Sequence, residues 1–133
     1  MKPNLILGKG GIGDTQKSFG YTTAVKIGNI VKISGQGGWD ESGVNFPHKD
    51  IKDEIIQACD NVEWALNSAG ASWKDVYSVT SYFTVPFTDE IHMVLSSEFN
   101  KRCGKSPIWT QLGVRELGNK PMRVEIVVEA FVE

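Results

Sequence analysis

Pro107-Ile108-Trp109-Thr110-Gln111-Leu112-Gly113-Val114-Arg115-Glu116-Leu117 is followed, after the four turn-forming residues Gly118-Asn119-Lys120-Pro121, by a second run from Met122 to Val132. Both runs are rich in Val, Ile and Thr and carry polar residues in alternation, which predicts two strands joined as a hairpin. In the second run Val124, Ile126, Val128 and Ala130 share one face and Arg123, Glu125, Val127 and Glu129 the other. In the first, Trp109, Gln111, Gly113 and Arg115 share a face, with Thr110, Leu112 and Val114 behind them. A tryptophan beside a polar, glycine-containing face is expected to line a cleft.

Working back from this hairpin, Val76 to Val85 alternates in the same way and reads as a long central strand ended by Pro86, which cannot donate to a sheet ladder. Thr88-Asp89-Glu90 opens a helix running to about Arg102, with Ile91, Val94, Leu95 and Phe99 on its apolar face and Gly104 closing it. Between Lys49 and Gly70 the period changes: Ile51, Ile55, Ala58, Cys59, Val62, Ala65, Leu66 and Ala69 recur at three and four residues, an amphipathic helix stopped by Gly70. Tyr21 to Lys26 and Ile30 to Ser34 form a further hairpin across Gly28-Asn29. The order predicts an α+β domain, a mixed sheet with two helices on one face.

The Gly35-Gln36-Gly37-Gly38-Trp39-Asp40 exit from that hairpin has two readings, a place where backbone approaches a ligand closely and a surface loop with a half-buried Trp39. Near the amino terminus Gly8-Lys9-Gly10-Gly11-Ile12-Gly13 has the G-x-G-x-x-G spacing, but Asp14 to Gly20 lacks helical periodicity. Without a helix to hold a pyrophosphate, the spacing is expected to be a flexible segment over residues 1–19.

A length of 133 residues with 41% apolar and 23% charged content bounds the chain to one domain, residues 1–133. A net charge of -2 with no basic cluster beyond Lys101-Arg102 disfavours nucleic acid as the main partner. No apolar run approaches the roughly 20 residues of a membrane span, and no leader is evident, so the expected setting is the cytoplasm, with no membrane partner. Cys59 and Cys103 fall in different helices and are expected as free thiols; Cys103 reads as inert. His48 and His92 lack ligand-spaced companions, so no metal site is expected, and His92 reads as a solvated helix residue. Glu125 and Glu129 would stand about 13 Å apart on a strand, too far to share a proton, and are expected to be solvated or paired with neighbours such as Arg123. The residues alone name no reaction.

Tyr21, Gly28-Asn29, Ile33-Ser34-Gly35-Gln36, Val79-Thr80, Pro107-Ile108-Trp109-Thr110, Val124-Glu125-Ile126 and Glu129-Ala130, in this order and spacing, resemble the YjgF/RidA family over about Tyr21 to Val132. The strings at 34–40 and 107–110 resemble a fungal branch of it. The resemblance implies a chorismate-mutase-like fold, a homotrimer with ligand clefts between subunits, and hydrolysis of enamines or imines such as 2-aminoacrylate without a cofactor. It also implies alternatives, since some members have been called translation inhibitors or endoribonucleases. It carries over Tyr21 and Ser34 as catalytic candidates, with Gly35, Gln36, Trp39, Met93, Trp109, Thr110 and Gln111 as candidates for binding a small-molecule ligand. The family's carboxylate-gripping arginine falls at Trp109 and its glutamate at Val127, while Arg115, six residues beyond Trp109 or about 20 Å along a strand, is no obvious substitute. The expected pocket is therefore altered toward flatter, more apolar ligands, with catalysis, a non-catalytic or chaperone-like trimer, and ribonuclease activity as the competing readings.

Overall fold

The computed structural model describes all residues from 1 to 133. It contains one six-stranded mixed sheet, with β1 (Asn4–Ile6), β2 (Ala24–Ile27), β3 (Ile30–Ile33), β4 (Val76–Phe83), β5 (Ile108–Gly113) and β6 (Val124–Phe131) in the order β1-β2-β3-β6-β4-β5. Helices α1 (Gly11–Ser18), α2 (Ile51–Ser68) and α3 (Asp89–Cys103) complete it. The long helices behave as their periodicity dictates. Ile55, Ala58, Cys59, Val62, Ala65 and Leu66 of α2 are buried, and they join Ile91, Leu95 and Phe99 of α3 in a 23-residue core against Val79, Phe83, Val124, Ile126 and Val128. Thr88 caps α3 by accepting a hydrogen bond from the Ile91 backbone N–H at 3.1 Å, and Gly104 ends it in the left-handed conformation, φ 70°.

Two expectations fail. The opening pair of strands is no hairpin: β5 runs parallel to β4 at the sheet edge, and β6 inserts antiparallel between β3 and β4. Alternation defines which face of a strand is buried but not which strand it pairs with, and the ten residues from Val114 to Arg123 are long enough to cross over β4. Consequently Trp109 registers with Val79 and Gln111 with Ser81, on the side covered by helices, while Ile108, Thr110 and Leu112 are exposed on the opposite face.

Residues 1–19 are not a flexible lead-in either, and the sheet therefore carries three helices where two were expected. Leu5 pairs with Val25, and the glycine-rich run that follows β1 opens α1. The glycines serve close packing: a Cβ on Gly13 would collide with the Gly8 carbonyl oxygen, and one on Gly11 with that of Glu41. The Gly8 N–H donates to Thr23 Oγ1 at 2.7 Å, and Thr23 Oγ1 donates in turn to Gln16 Oε1, so β1, α1 and β2 are one interlocked unit. A helix of eight residues does follow the G-x-G-x-x-G spacing, but β1 is an antiparallel edge strand, outside the parallel βαβ setting that a dinucleotide fold requires.

Gly13→Ala tests this unit. The methyl group has only backbone to displace, so a loss of about 1–3 kcal/mol of stability is expected in urea unfolding; an unchanged midpoint would mean that the segment is not packed as described.

Candidate functional site

The amino-terminal unit ends at one side of a cleft. Tyr21 is held at the turn after α1 by its N–H donating to the Gln16 carbonyl at 3.1 Å, with Phe19 beside it. Ser34 leaves β3 with its N–H donating to the Thr23 carbonyl at 2.9 Å and its Oγ donating to the Thr22 carbonyl. Gly35 follows, and Gln36 then bridges to Ile126 through two backbone hydrogen bonds, 2.9 and 3.0 Å, locking this exit against β6.

Gly118, Asn119 and Met122, from the connection between β5 and β6, form the other side. The Met122 N–H donates to the Asn119 carbonyl at 3.0 Å, and its side chain packs with Ile12 and Trp39 in a small second core. Arg123 anchors this connection: its Nε donates to Glu54 Oε1 at 2.7 Å and its backbone N–H to Glu54 Oε2 at 2.9 Å, while its guanidinium also reaches the carbonyls of His48 and Lys49. Arg123, expected as a partner for Glu125, is thus taken by Glu54.

Between the two sides lies a concavity of about 470 Å³ lined by Phe19, Tyr21, Ser34, Gly35, Trp39, Gly118, Asn119, Met122 and Glu125. Glu125 is the group that sequence reasoning missed. It is half-buried, neither of its carboxyl oxygens accepts a hydrogen bond from this chain, and its carboxyl lies where a Cβ on Gly35 would be. Burial pushes its pKa above the usual carboxylate range. Burial likewise raises that of the Tyr21 phenol, and the nearby Glu125 charge adds to the effect. Glu125 alternates onto the open face of β6, and the clue to its role was the glycine at position 35, which leaves it room.

Of the residues singled out from sequence, the cleft brings together Tyr21, Ser34, Gly35 and Trp39. Trp39 is 5% exposed, deeper than the half-buried surface position of one reading of its loop, and it forms floor more than wall. Its backbone carbonyl accepts from Asn61 Nδ2 at 2.9 Å, and its indole N–H is sealed beneath the surface without a partner. Gln36 is fully buried, with Nε2 donating to the Ser34 carbonyl at 3.0 Å, so it supports Ser34 from below. Met93 is 69% exposed on α3, and Thr110 is exposed on the open sheet face. Gln111 Oε1 accepts from Ser81 Oγ at 3.0 Å.

Trp109 is half-buried and lies apart from the concavity formed by this one chain. Its ring stacks on His92 with centroids 5.2 Å apart, meets Phe99 edge-on at 5.3 Å, and donates Nε1–H to Ser81 Oγ at 2.9 Å. It packs against the core beneath α3 and does not line the cleft holding Tyr21. His92 is exposed, as expected, but serves as the outer layer of this stack. Cys59 and Cys103 are buried free thiols, with burial pushing Cys59 up to about 12 and Cys103 upward. No three His, Cys, Asp or Glu side chains cluster as metal ligands would, and no helix is long and apolar enough to cross a membrane.

With this geometry established, comparison with known proteins is decisive for the family. The family model described as Endoribonuclease L-PSP matches residues 15–132. The chain belongs to the YjgF/RidA family. A protein named 2-iminobutanoate/2-iminopropanoate deaminase from Dermatophagoides farinae is 34% identical over 114 residues, 84% of each chain. The RutC family protein YjgH of Escherichia coli (strain K12) is 29% identical over 109 residues, 80% of each. A solved structure of YjgH superimposes with a TM-score of 0.81 at 26% identity, covering 99% of this chain and 98% of that one. RidA from the Antarctic bacterium Psychrobacter gives 0.73 at 27% identity, over 85% and 89%. Within the YjgF/RidA fold, this chain sets its cleft carboxyl on β6 over a glycine that follows β3, with the Trp109 indole packed under α3.

The raised pKa of Glu125 links folding to pH. An unfolded glutamate loses its proton near about pH 4.3, whereas the folded one retains it to higher pH, so stability falls as pH rises from the unfolded value through the folded one. Glu125→Gln is expected to be more stable than the parent at pH 8, with the gain vanishing by pH 3, in urea unfolding at both pH values; a difference that does not change with pH would contradict it.

Proposed function

We propose that this YjgF/RidA member is a cofactor-free enzyme that hydrolyses an imine or enamine to a carbonyl compound and ammonia in the Glu125 cleft. The observation that carries this is a half-buried carboxyl with no protein donor, facing a concavity beside Tyr21 and Ser34. Burial makes the carboxyl keep its proton to higher pH than a solvated glutamate would, which suits it to proton exchange with a ligand. In the neutral form Glu125 donates its proton to the imine nitrogen, making the carbon electrophilic. The resulting carboxylate takes a proton from the attacking water, and a carbinolamine forms. Returning that proton to nitrogen lets ammonia leave as the hydroxyl oxygen becomes the carbonyl and gives its proton to the Glu125 carboxylate, restoring the neutral acid, so one water is consumed and one ammonia released.

Ser34 Oγ, its proton engaged by the Thr22 carbonyl, offers lone pairs to a ligand N–H, and the Tyr21 hydroxyl orients water or the developing hydroxyl. The name of the Dermatophagoides farinae relative supports this reaction class. The altered signature supports a changed substrate range, since Trp109 occupies the position where the resemblance implies an arginine.

We further propose a homotrimer with the cleft between subunits. Leu5, Ile108, Leu112 and Phe131 are 43–70% exposed, an apolar set at the sheet's edges and ends of the kind that another copy covers. A second concavity, lined by Leu5, Val25, Ile27 and Lys32, shares Tyr21 and Ser34 with the first, so a neighbour seated there would border the site. The same exposed surface supports the second reading, a non-catalytic or chaperone-like trimer. A ribonuclease reading draws on the family description but meets a cleft whose one charged residue is acidic, which repels phosphate. Two buried unpaired thiols fit a cytoplasmic setting.

The test is ammonia release from imines generated in situ by an amine or amino-acid oxidase. The parent chain is expected to accelerate it, Glu125→Gln to lose about 100-fold or more, and Tyr21→Phe to lose less. No acceleration over buffer with any imine, or full activity in Glu125→Gln, would overturn the reading.

A further inference from the structure

The bottom of the cleft is built differently from its rim. Trp39 and Met122, 5% and 3% exposed, line it from below, with Ile12 and Leu117 packed around them in the small second core. The Met122 thioether fits because position 37 is glycine: a Cβ there would stand 2.6 Å from Met122 Cε and 3.0 Å from Trp39 Cζ3. Gly35 and Gly37 thus seat two groups along one exit, the Glu125 carboxyl on the first and the Met122 methyl on the second. Gln36 between them is paired to Ile126, which holds the exit extended, so the two seats are about 6–7 Å apart. Met122 is fixed through its backbone, its N–H donating to the Asn119 carbonyl and its own carbonyl accepting from Thr84 Oγ1 at 3.3 Å. A neighbouring copy that closes the cleft adds wall or roof; the floor is this chain's own, because both side chains are already covered.

We propose that Met122 sets which ligands the cleft accepts, its thioether forming the stop against which a short apolar carbon substituent of the ligand rests. The proposal rests on the Glu125 cleft being the ligand site, and it adds the class of substituent taken there. A ligand whose nitrogen meets Glu125 can direct its substituent along the exit toward Gly37, where a methyl and an indole receive it. Contact distances of about 3 Å at the acid and about 3.5–4.0 Å at the methyl use up most of the separation between the two seats. The direct path therefore admits the imine carbon and only a short chain. Two substitutions act on this stop in opposite senses. Met122→Ala removes Cγ, Sδ and Cε and opens the floor toward Ile12. Gly37 lies outside the left-handed region, so its backbone accepts alanine, and Gly37→Ala drives the flexible end of Met122 up into the cleft. Each methylene admitted or refused by an apolar pocket changes discrimination by about 10- to 200-fold.

The experiment titrates butanamide and octanamide, planar unreactive amides of different chain length, into the full chain with isotope-labelled methionine methyl groups followed by NMR. Met122 gives the buried signal among three methionines, Met1 and Met93 being 95% and 69% exposed, and Met122→Leu assigns it. Butanamide is expected to shift the Met122 methyl of the parent chain. The affinity ratio of octanamide to butanamide is expected to rise by about tenfold or more in Met122→Ala and to fall by a similar factor in Gly37→Ala. An unchanged ratio in either variant that folds, binding that leaves the Met122 methyl unmoved, or no binding of either probe would each overturn the proposal. Gly37→Ala keeps the comparison decisive if Met122→Ala fails to fold. Chain-length selectivity set by Met122 without imine turnover would refute the catalytic reading alone. Turnover of imines of these chain lengths that is indifferent to both substitutions would refute this proposal alone.

Discussion

The carboxyl of Glu125 occupies space that any residue other than glycine at position 35 would fill, and it finds no hydrogen-bond donor there. That constraint organises the surrounding chain. β3 must leave the sheet through Ser34-Gly35, and Gln36 must return to pair with Ile126 so that the gap stays open without the strand peeling away. A half-buried, unpartnered acid is a standing cost to folding.

The rest of the molecule supplies rigidity to two walls that come from opposite ends of the sequence. The interlocked β1, α1 and β2 unit delivers Phe19 and Tyr21, and it depends on Gly8 and Gly13 approaching to backbone contact. The β5–β6 connection delivers Asn119 and Met122, and it is held by the Arg123–Glu54 pair, in which the 2%-exposed Glu54 accepts both a side-chain and a backbone N–H. Asn61 on α2 bridges the carbonyls of Gly37 and Trp39, so the floor of the cleft is tied to the main core helix. Such a site is pre-formed, as ligand sites generally are.

Much of this was legible in the residues. Period alone gave α2 and α3 and the alternating faces of β4 and β6, because burial of one stripe or one face dominates those elements. Strand partnership was not legible: the parallel pairing of β5 with β4 is settled by the crossover connection and by helix cover, which leave no mark on alternation. The parallel pairing sets Trp109 opposite Val79, in the stack with His92 and Phe99. The amino-terminal unit was missed because α1 is short and its first turn holds two glycines chosen for contact, so propensity points away from a helix. Glu125 was hidden for a different reason. An acid on a strand is ordinarily solvated, and its isolation shows only once Arg123 is seen to be engaged elsewhere. Tyr21, Ser34 and Gly35 came from family resemblance, and a single cleft contains them all.

The half-buried acid at Glu125 is the group on which the proposed proton exchange in this YjgF/RidA cleft rests. The most direct measurement is the carboxyl carbon shift of Glu125 followed by NMR across pH in the full chain, with Glu125→Gln assigning the signal. A midpoint clearly above the ordinary glutamate value of about 4.3 is the predicted result; a midpoint at or below that value would contradict the account.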